Sequence, residues 1–363
     1  WSTKNLLKLN KYGIPEPEKI KKVFPDIILV PLVAFDNRLY RIGYGGGYYD
    51  RYIEKLSNKK NLFKIGIAHS CQKINKVPVN KYDKKLDIII TEKYVLRWKF
   101  FFLGDIVGKS GRLTVIKNLK DILEKKKIDF VVVNGENAAD QGIGITEAIS
   151  NDLFNSGVDV ITTGNHVWDQ KEIINHIERE TRLLRPENLA SNSPGKGFGI
   201  YESKNGFKVG VLNLMGNIFM KKCDDVFESA KIFKNKYKLK EDYDFLVVDF
   251  HGEITSEKMA MGHFFDGKAT LVVGTHTHVP TNDVRILING TAYQSDAGMC
   301  GDYDSVVGMN KINSLNRFLK KESKKHFPAE GNATLSGLIV ECNASNGLAY
   351  KVEPFIYGGE LIK

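Results

Sequence analysis

The chain has 363 residues, 42% of them hydrophobic and 26% charged, with a formal net charge of +10; it is long enough for two globular domains. No apolar run reaches the roughly 18–20 residues of a membrane span. The first residues, Trp1-Ser2-Thr3-Lys4, lack the apolar core and cleavage site of a signal peptide.

A Trp at position 1 reads as the start of a fragment. Cys71, Cys223, Cys300 and Cys342 are scattered with no C-x-x-C, which fits reduced thiols in a cytoplasmic protein better than disulfides or a zinc site. The charge is uneven. Residues 1–98 hold 20 Lys+Arg against 9 Asp+Glu, whereas the rest is close to balanced. A basic first quarter suits an anion such as a nucleotide, a folate or a nucleic acid, or else simply a Lys-rich solvated face. Within it, Pro25 to Phe35 reads as a buried strand entering a Pro-marked bend. Arg41-Ile42-Gly43-Tyr44-Gly45-Gly46-Gly47-Tyr48-Tyr49-Asp50-Arg51 then leads into a short helix, Tyr52 to Leu56. Glycines let the backbone approach a ligand, and a following helix N-terminus favours phosphate. The spacing is neither that of a P-loop nor that of a Rossmann turn.

With Tyr12-Gly13-Ile14-Pro15-Glu16-Pro17 and the stretch from Val77-Pro78 through Asp83 to Thr91, this string resembles the C-terminal half of 5-formyltetrahydrofolate cyclo-ligases. The resemblance implies ATP, Mg²⁺ and folate as ligands. Arg41 to Tyr49 would line the ATP phosphates, with Tyr44 to Tyr48 also near the folate, and Asp50 and Asp83 would be the Mg²⁺ carboxylates. The family's N-terminal half has no counterpart here. A half domain of this kind leaves strands unpaired and a core face bare, so the expectation is a partial α/β cyclo-ligase domain over residues 1–97.

Only Glu92 to Trp98 separates the strand-like Leu86 to Thr91 from the next strand, Lys99 to Leu103. The two units are therefore expected to sit close together, with Trp98 at their junction. From there strand-like and helix-like stretches alternate: an amphipathic helix from Leu113 to Lys126, strand Asp129 to Val133, a helix through Ile145–Asn155, and strand Val158 to Thr162, before a helix over Gln170 to Arg179. A hairpin-like region (Phe198 to Leu214), strands Phe245–Phe250 and Thr270–Val273, and a strand-rich C-terminal part follow. Two packed sheets flanked by helices are predicted.

Each strand tip of this region carries ligand-type side chains: Asp105, then Glu136-Asn137, Gly164-Asn165-His166, His251-Gly252-Glu253, and His276-Thr277-His278. Taken alone, Gly164-Asn165 is ordinary turn chemistry. Five such tips in order form a sulfur-free N/O set that suits Mn²⁺, Fe or Zn²⁺, and it is large enough for two ions sharing a carboxylate. An extended backbone would turn His276 and His278 to one side. His69, His176, His263 and His326 have no partners by spacing, and Asp296, Asp302 and Asp304 read as turn residues.

The order of these tips, with Gly-Glu-Asn-Ala-Ala, Gly-Asn-His-Val-Trp-Asp, Gly-Thr-His-Thr-His-Val-Pro-Thr and Gly-Thr-Ala-Tyr-Gln-Ser-Asp-Ala-Gly-Met, resembles calcineurin-like metallophosphoesterases of the bacterial YmdB type. The resemblance implies a four-layer α/β/β/α sandwich over residues 98–363. It also implies a dimetal phosphodiesterase, holding Fe or Mn, that acts on 2′,3′-cyclic nucleotides or other phosphodiesters through metal-activated hydroxide. Asp105, Glu136, Asn137, Asn165, His251, His276 and His278 would hold the ions, with Glu136 as the bridge, and His166 would be catalytic. The broader superfamily has a His where this chain has Val107 and an Asp where it has Glu136; the branch shares both changes. Partners are then the nucleotide substrate, folate and ATP for the first segment, and further copies of the chain, with no membrane. Two readings compete: an ATP-dependent 5-formyltetrahydrofolate cyclo-ligase as the principal function, with the phosphoesterase as a fused passenger, and a non-catalytic RNA-binding regulator docking through the basic segment, although the chain has no RNA-recognition signature and no aromatic–basic interleaving.

Overall fold

The computed structural model describes residues 6–11, 13, 15–17, 24–57 and 62–361. Tyr12 and Ile14 of the cyclo-ligase-like string, and Trp1, lie outside the described residues. No helix among the described residues is long and apolar enough to cross a membrane, and all four cysteines are free.

Strand residues point alternately to opposite faces, so a strand that is apolar throughout must be covered on both sides. Trp98–Leu103 is such a strand apart from Lys99: Trp98, Phe100 and Phe102 enter one core while Phe101 and Leu103 enter another. The alternation repeats across its sheet, where Trp98–Leu103, Phe130–Asn134 and Val160–Thr162 pair in parallel and Ala333–Cys342 closes antiparallel on Trp98–Leu103. In the second sheet Lys208–Met215, Phe245–His251, Leu271–Thr275 and Ala292–Gln294 run parallel. There Phe245 and Val247 face the first sheet's core, while Leu246, Val248 and Phe250 face outward. Helices Gly108–Lys126 and Glu147–Ser156 cover the first sheet; Val226–Lys236 and Thr255–Phe264 cover the second. The layer order is α/β/β/α.

Element edges shift in ways that have local causes. The helix expected from Leu113 starts at Gly108. Thr146 caps helix Glu147–Ser156 by accepting from the Ile149 N–H at 3.2 Å. The helix expected over Gln170 to Arg179 shrinks to Ile173–Ile177, its first part being drawn into the turn that carries His166.

The first segment forms a four-stranded sheet in the order Ile27–Pro31, Phe63–Ile67, Ile88–Ile90, Val95–Leu96, with helix Tyr48–Ser57 on it. Pro25 to Phe35 is not one buried strand. It breaks after Pro31 and resumes as Ala34–Phe35, and Ile27 and Leu29 remain 57% and 61% exposed. Their apolar face has nothing packed on it among the described residues. The segment's other face joins the inter-sheet core as one continuous cluster. Polar ties reinforce the join: Lys85 Nζ lies 3.2 Å from Asp244 Oδ1 and 4.1 Å from the Phe207 ring centroid, and Lys64 Nζ donates to Ser345 Oγ at 2.7 Å. Trp98 is buried between the two sheets, stacked on Phe245 at 4.1 Å between ring centroids.

Candidate metal centre

Both sheets end their parallel strands at the same edge, where open α/β sheets gather ligands. Asp105, Glu136 and His251 are fully buried there; Asn137 is nearly so, and Asn165, His166, His276 and His278 line the opening. Gly164 is required beside them, because a Cβ there would overlap the His251 ring and the Glu136 carboxylate.

The centre of the cluster is His251 Nε2. Glu136 Oε1 and Asn165 Oδ1 each lie 3.0 Å from it, and His276 Nδ1 lies 3.1 Å away. A proton on that nitrogen can serve one of the three; a cation can serve all of them. Glu136, His251 and His276 have their ligand atoms within 4.8 Å of one another. A second lobe adjoins it. His278 Nε2 is 3.2 Å from Asn137 Nδ2 and 3.8 Å from Asp105 Oδ1, an oxygen that is buried with no hydrogen-bond partner. Its other oxygen accepts the His276 N–H at 3.1 Å. The donors are all nitrogen and oxygen, and an orphaned carboxylate oxygen faces the cluster. These residues fit divalent metal ions.

Expectation and structure differ over the His-x-His pair. The strand ends at Thr275, and His276 and His278 have φ of 102° and 64°, so the backbone turns instead of staying extended. The turn is held from behind: Asp296 Oδ2 accepts from the Thr277 N–H at 3.0 Å and from Lys258 Nζ at 2.7 Å. Asp296, read from sequence as a turn residue, is a buried anchor of the site. Asp302 does hold a turn, accepting from the Asp304 and Gly331 N–H groups at 2.9 Å each. His176, read as unpartnered, is buried with Ser150 Oγ 2.8 Å away.

Three further residues went unassigned. Asp169 Oδ2 is 2.6 Å from His166 Nδ1, and the signal was an acid three positions after a histidine. Glu253 Oε2 is 3.2 Å from His276 Nε2. Asp249, a carboxylate inside an apolar strand, accepts from Thr275 Oγ1 at 2.7 Å, and that hydroxyl lies 2.9 Å from His251 Nδ1. Such outer partners orient metal-binding imidazoles.

Without an ion the cluster treats His251 and His276 oppositely. Burial alone would lower the His251 pKa, but Glu136, then Asp105 and Asp249, outweigh it and raise it to about 9. Burial, together with the His251 charge, pushes His276 down to about 3. The sign of the linkage follows. The charged His251 contributes stability to the metal-free protein that is full below imidazole's 6.5 and is lost as pH rises through about 9. An incoming ion must displace that proton, so apparent metal affinity is expected to climb roughly tenfold per pH unit between about 7 and 9. Calorimetry with Mn²⁺ at pH 7.5, in buffers of different ionisation enthalpy, should register about one proton released per site. Heats independent of the buffer would contradict the assignment.

In the first segment, Gly45 and Gly47 have φ of 88° and 61°, and Tyr44 is 86% exposed at the loop tip. Asp50 is occupied: Arg41 Nη2 donates to it at 3.0 Å and the Lys84 N–H at 3.1 Å. Asp83 accepts from the Asn80 N–H at 2.8 Å.

Residues 101–355 match the family model of YmdB-like proteins. The chain belongs to that family. Over 255 residues the YmdB-like part is 43% identical to a 2′,3′-cyclic-nucleotide 2′-phosphodiesterase of Bacillus subtilis (strain 168), covering 70% of this chain and 95% of that protein. A solved structure titled as a novel phosphatase of Mycoplasma pneumoniae superposes with a TM-score of 0.67 at 35% identity, covering 72% of this chain and 94% of that one. Ahead of the YmdB-like part, residues 2–92 match the 5-formyltetrahydrofolate cyclo-ligase family. There the chain is 37% identical over 97 residues to the cyclo-ligase of Escherichia coli (strain K12), covering 25% of this chain and 53% of that protein's length. A cyclo-ligase segment is thus fused to a YmdB-like part, and the chain spans about half of the cyclo-ligase it matches.

Proposed function

We propose that the YmdB-like part, taken as residues 98–363, is a phosphodiesterase acting on phosphodiesters of the 2′,3′-cyclic nucleotide class at a pair of divalent ions, Fe or Mn. The observation that carries this reading is the convergence of Glu136, Asn165 and His276 on His251 Nε2, beside an Asp105 oxygen that has no donor. Divalent ions bound there supply Lewis-acid activation of water and neutralise the non-bridging phosphoryl oxygens. Glu136, Asn165, His251 and His276 would hold one ion, and Asp105, Asn137 and His278 the other, with Glu136 common to both. His166 stands at the edge of the first set, its backbone N–H donating to Glu136 Oε2 at 3.2 Å, where it would protonate the departing ribose oxygen. Metal analysis, combined with turnover of 2′,3′-cyclic AMP and a chromogenic diester, tests the reading. Inertness toward both with Mn²⁺ and with Fe bound would sink it.

For residues 1–97 we propose a partial cyclo-ligase fold whose loop from Arg41 to Tyr49 takes ATP phosphates, with Asp50 and Asp83 as the Mg²⁺ carboxylates and the folate beside Tyr44 to Tyr48. The open glycine loop at the N-terminus of helix Tyr48–Ser57 supports it. The Arg41–Asp50 pair would have to open for Asp50 to reach an ion.

A further inference from the structure

Backbone strain is concentrated around the metal centre. Eight described non-glycine residues have positive φ, and four of them are Phe219 (60°), His276 (102°), His278 (64°) and Val307 (48°). Two are assigned ligands, and the Val307 carbonyl lies 2.8 Å from His278 Nδ1. Phe219 belongs to the same neighbourhood through Lys221, whose Nζ donates to the Asn165 carbonyl at 2.6 Å and lies 3.4 Å from Asp169 Oδ1. A left-handed φ on a bulky side chain is an outlier that the surroundings must enforce, and such residues cluster at ligand sites.

The loop that carries Phe219 is anchored at its start. The loop leaves the strand Lys208–Met215, and the Gly216 N–H donates to the His251 carbonyl at 2.9 Å. The Asn217 N–H donates to Glu257 Oε1 at 2.9 Å, and its side-chain oxygen accepts the Val226 N–H at 2.9 Å. The loop is therefore tied down on both sides of Phe219. The ring itself is 84% exposed, so packing of the ring does not offset the strain. The loop thus holds an exposed aromatic ring two residues before the ammonium group that reaches the Asn165 carbonyl at the metal centre. A nucleotide presents the matching pair of features, an anionic phosphate and a planar base.

We propose that Phe219 is the base-stacking residue of the site, holding the nucleobase of a substrate whose phosphate lies at the metal centre. The proposal rests on the phosphodiesterase reading and adds the base to the recognised group. Stacking on an aromatic side chain tolerates any base, so the contact selects nucleotides over simple diesters without selecting among them.

The test uses the Mn²⁺-loaded full chain and two probes, 3′-AMP and inorganic phosphate, with affinities measured by calorimetry. Phe219→Ala is expected to weaken 3′-AMP binding roughly 5- to 150-fold while phosphate affinity stays the same, and Phe219→Tyr should restore nucleotide binding. Alanine is easier than phenylalanine to accommodate in a surface loop, so a folding defect is not expected; equal thermal midpoints would verify that. Unchanged 3′-AMP affinity in Phe219→Ala overturns the proposal, as does an equal loss for both probes, which would mark a structural role for the loop. A wild-type protein that turns over diesters but binds 3′-AMP no better than phosphate also overturns it, and leaves the phosphodiesterase reading standing. Failure of that reading would appear separately, as inertness toward every diester.

Discussion

Asp105→Asn is expected to lose bound metal and turnover together, with kcat falling on the order of 10³-fold, the several kcal/mol of charge stabilisation that bound ions supply. The reason lies in what Asp105 lacks. It is fully buried, its Oδ1 has no hydrogen-bond donor, and burial, reinforced by Glu136 and Asp296, raises its pKa despite His278 and His251 nearby. A buried carboxylate with one oxygen left without a donor is costly. The amide keeps the shape and removes the charge, so the metal-free variant should melt no lower than the metal-free wild type. The two should part company when Mn²⁺ is added: a ligand that binds only the folded state raises the wild-type midpoint, and the variant's should stay where it was. Measuring metal content by mass spectrometry beside the melting curves separates the outcomes. Normal occupancy in the variant would contradict the ligand role.

Why this centre was legible in the chain, and where legibility stopped, can be read from particular residues. Asp105, Glu136, Asn165 and His251 stand at the end of, or within three residues after, runs of apolar, strand-forming residues. Parallel strands buried on both faces have few polar positions, so the polar group at each tip is conspicuous. The succession of strand-like and helix-like stretches predicts two packed sheets flanked by helices, and Trp98–Leu103 and Phe245–His251, buried on both faces, are strands of those sheets.

What could not be read depends on partners far away in sequence. The turn at His276–His278 is set by the bond from the Thr277 N–H to Asp296, 19 residues on, and local spacing carries no trace of it. Helix Thr255–Phe264 buries Glu257 and Lys258, because Asn217 and Asp296 pair with them; charged residues on an inner face break the apolar period by which a helix is recognised. Ile27 and Leu29 mislead in the opposite direction. Their apolarity reads as burial, yet nothing among the described residues covers their face.

His166→Ala should separate chemistry from metal binding. His166 is no member of the converging group around His251. Its ring is anchored by Asp169, with Nδ1 2.6 Å from Oδ2, and Asp169 lies 3.4 Å from Lys221 Nζ. The Asp169 carboxylate on Nδ1 orients the ring and leaves Nε2 for the substrate; the proton given to the leaving oxygen is that of Nε2–H, so it is the doubly protonated ring that would act. The variant is therefore expected to keep its metal and its melting temperature while kcat falls about 10²–10⁴-fold, the usual worth of a positioned general acid. The loss should depend on the leaving group. A ribose alkoxide needs a proton as the P–O bond breaks, whereas 4-nitrophenolate departs readily without one. The drop should thus be large for 2′,3′-cyclic AMP and small for a 4-nitrophenyl diester. Asp169→Asn should show the same pattern at smaller amplitude, since the imidazole remains but loses the group that orients it. Full turnover in the metal-loaded His166→Ala protein would remove the assignment. An equal loss on both substrates would move His166 from proton donor to a residue that only helps seat the phosphate, and the leaving oxygen would then take its proton from water.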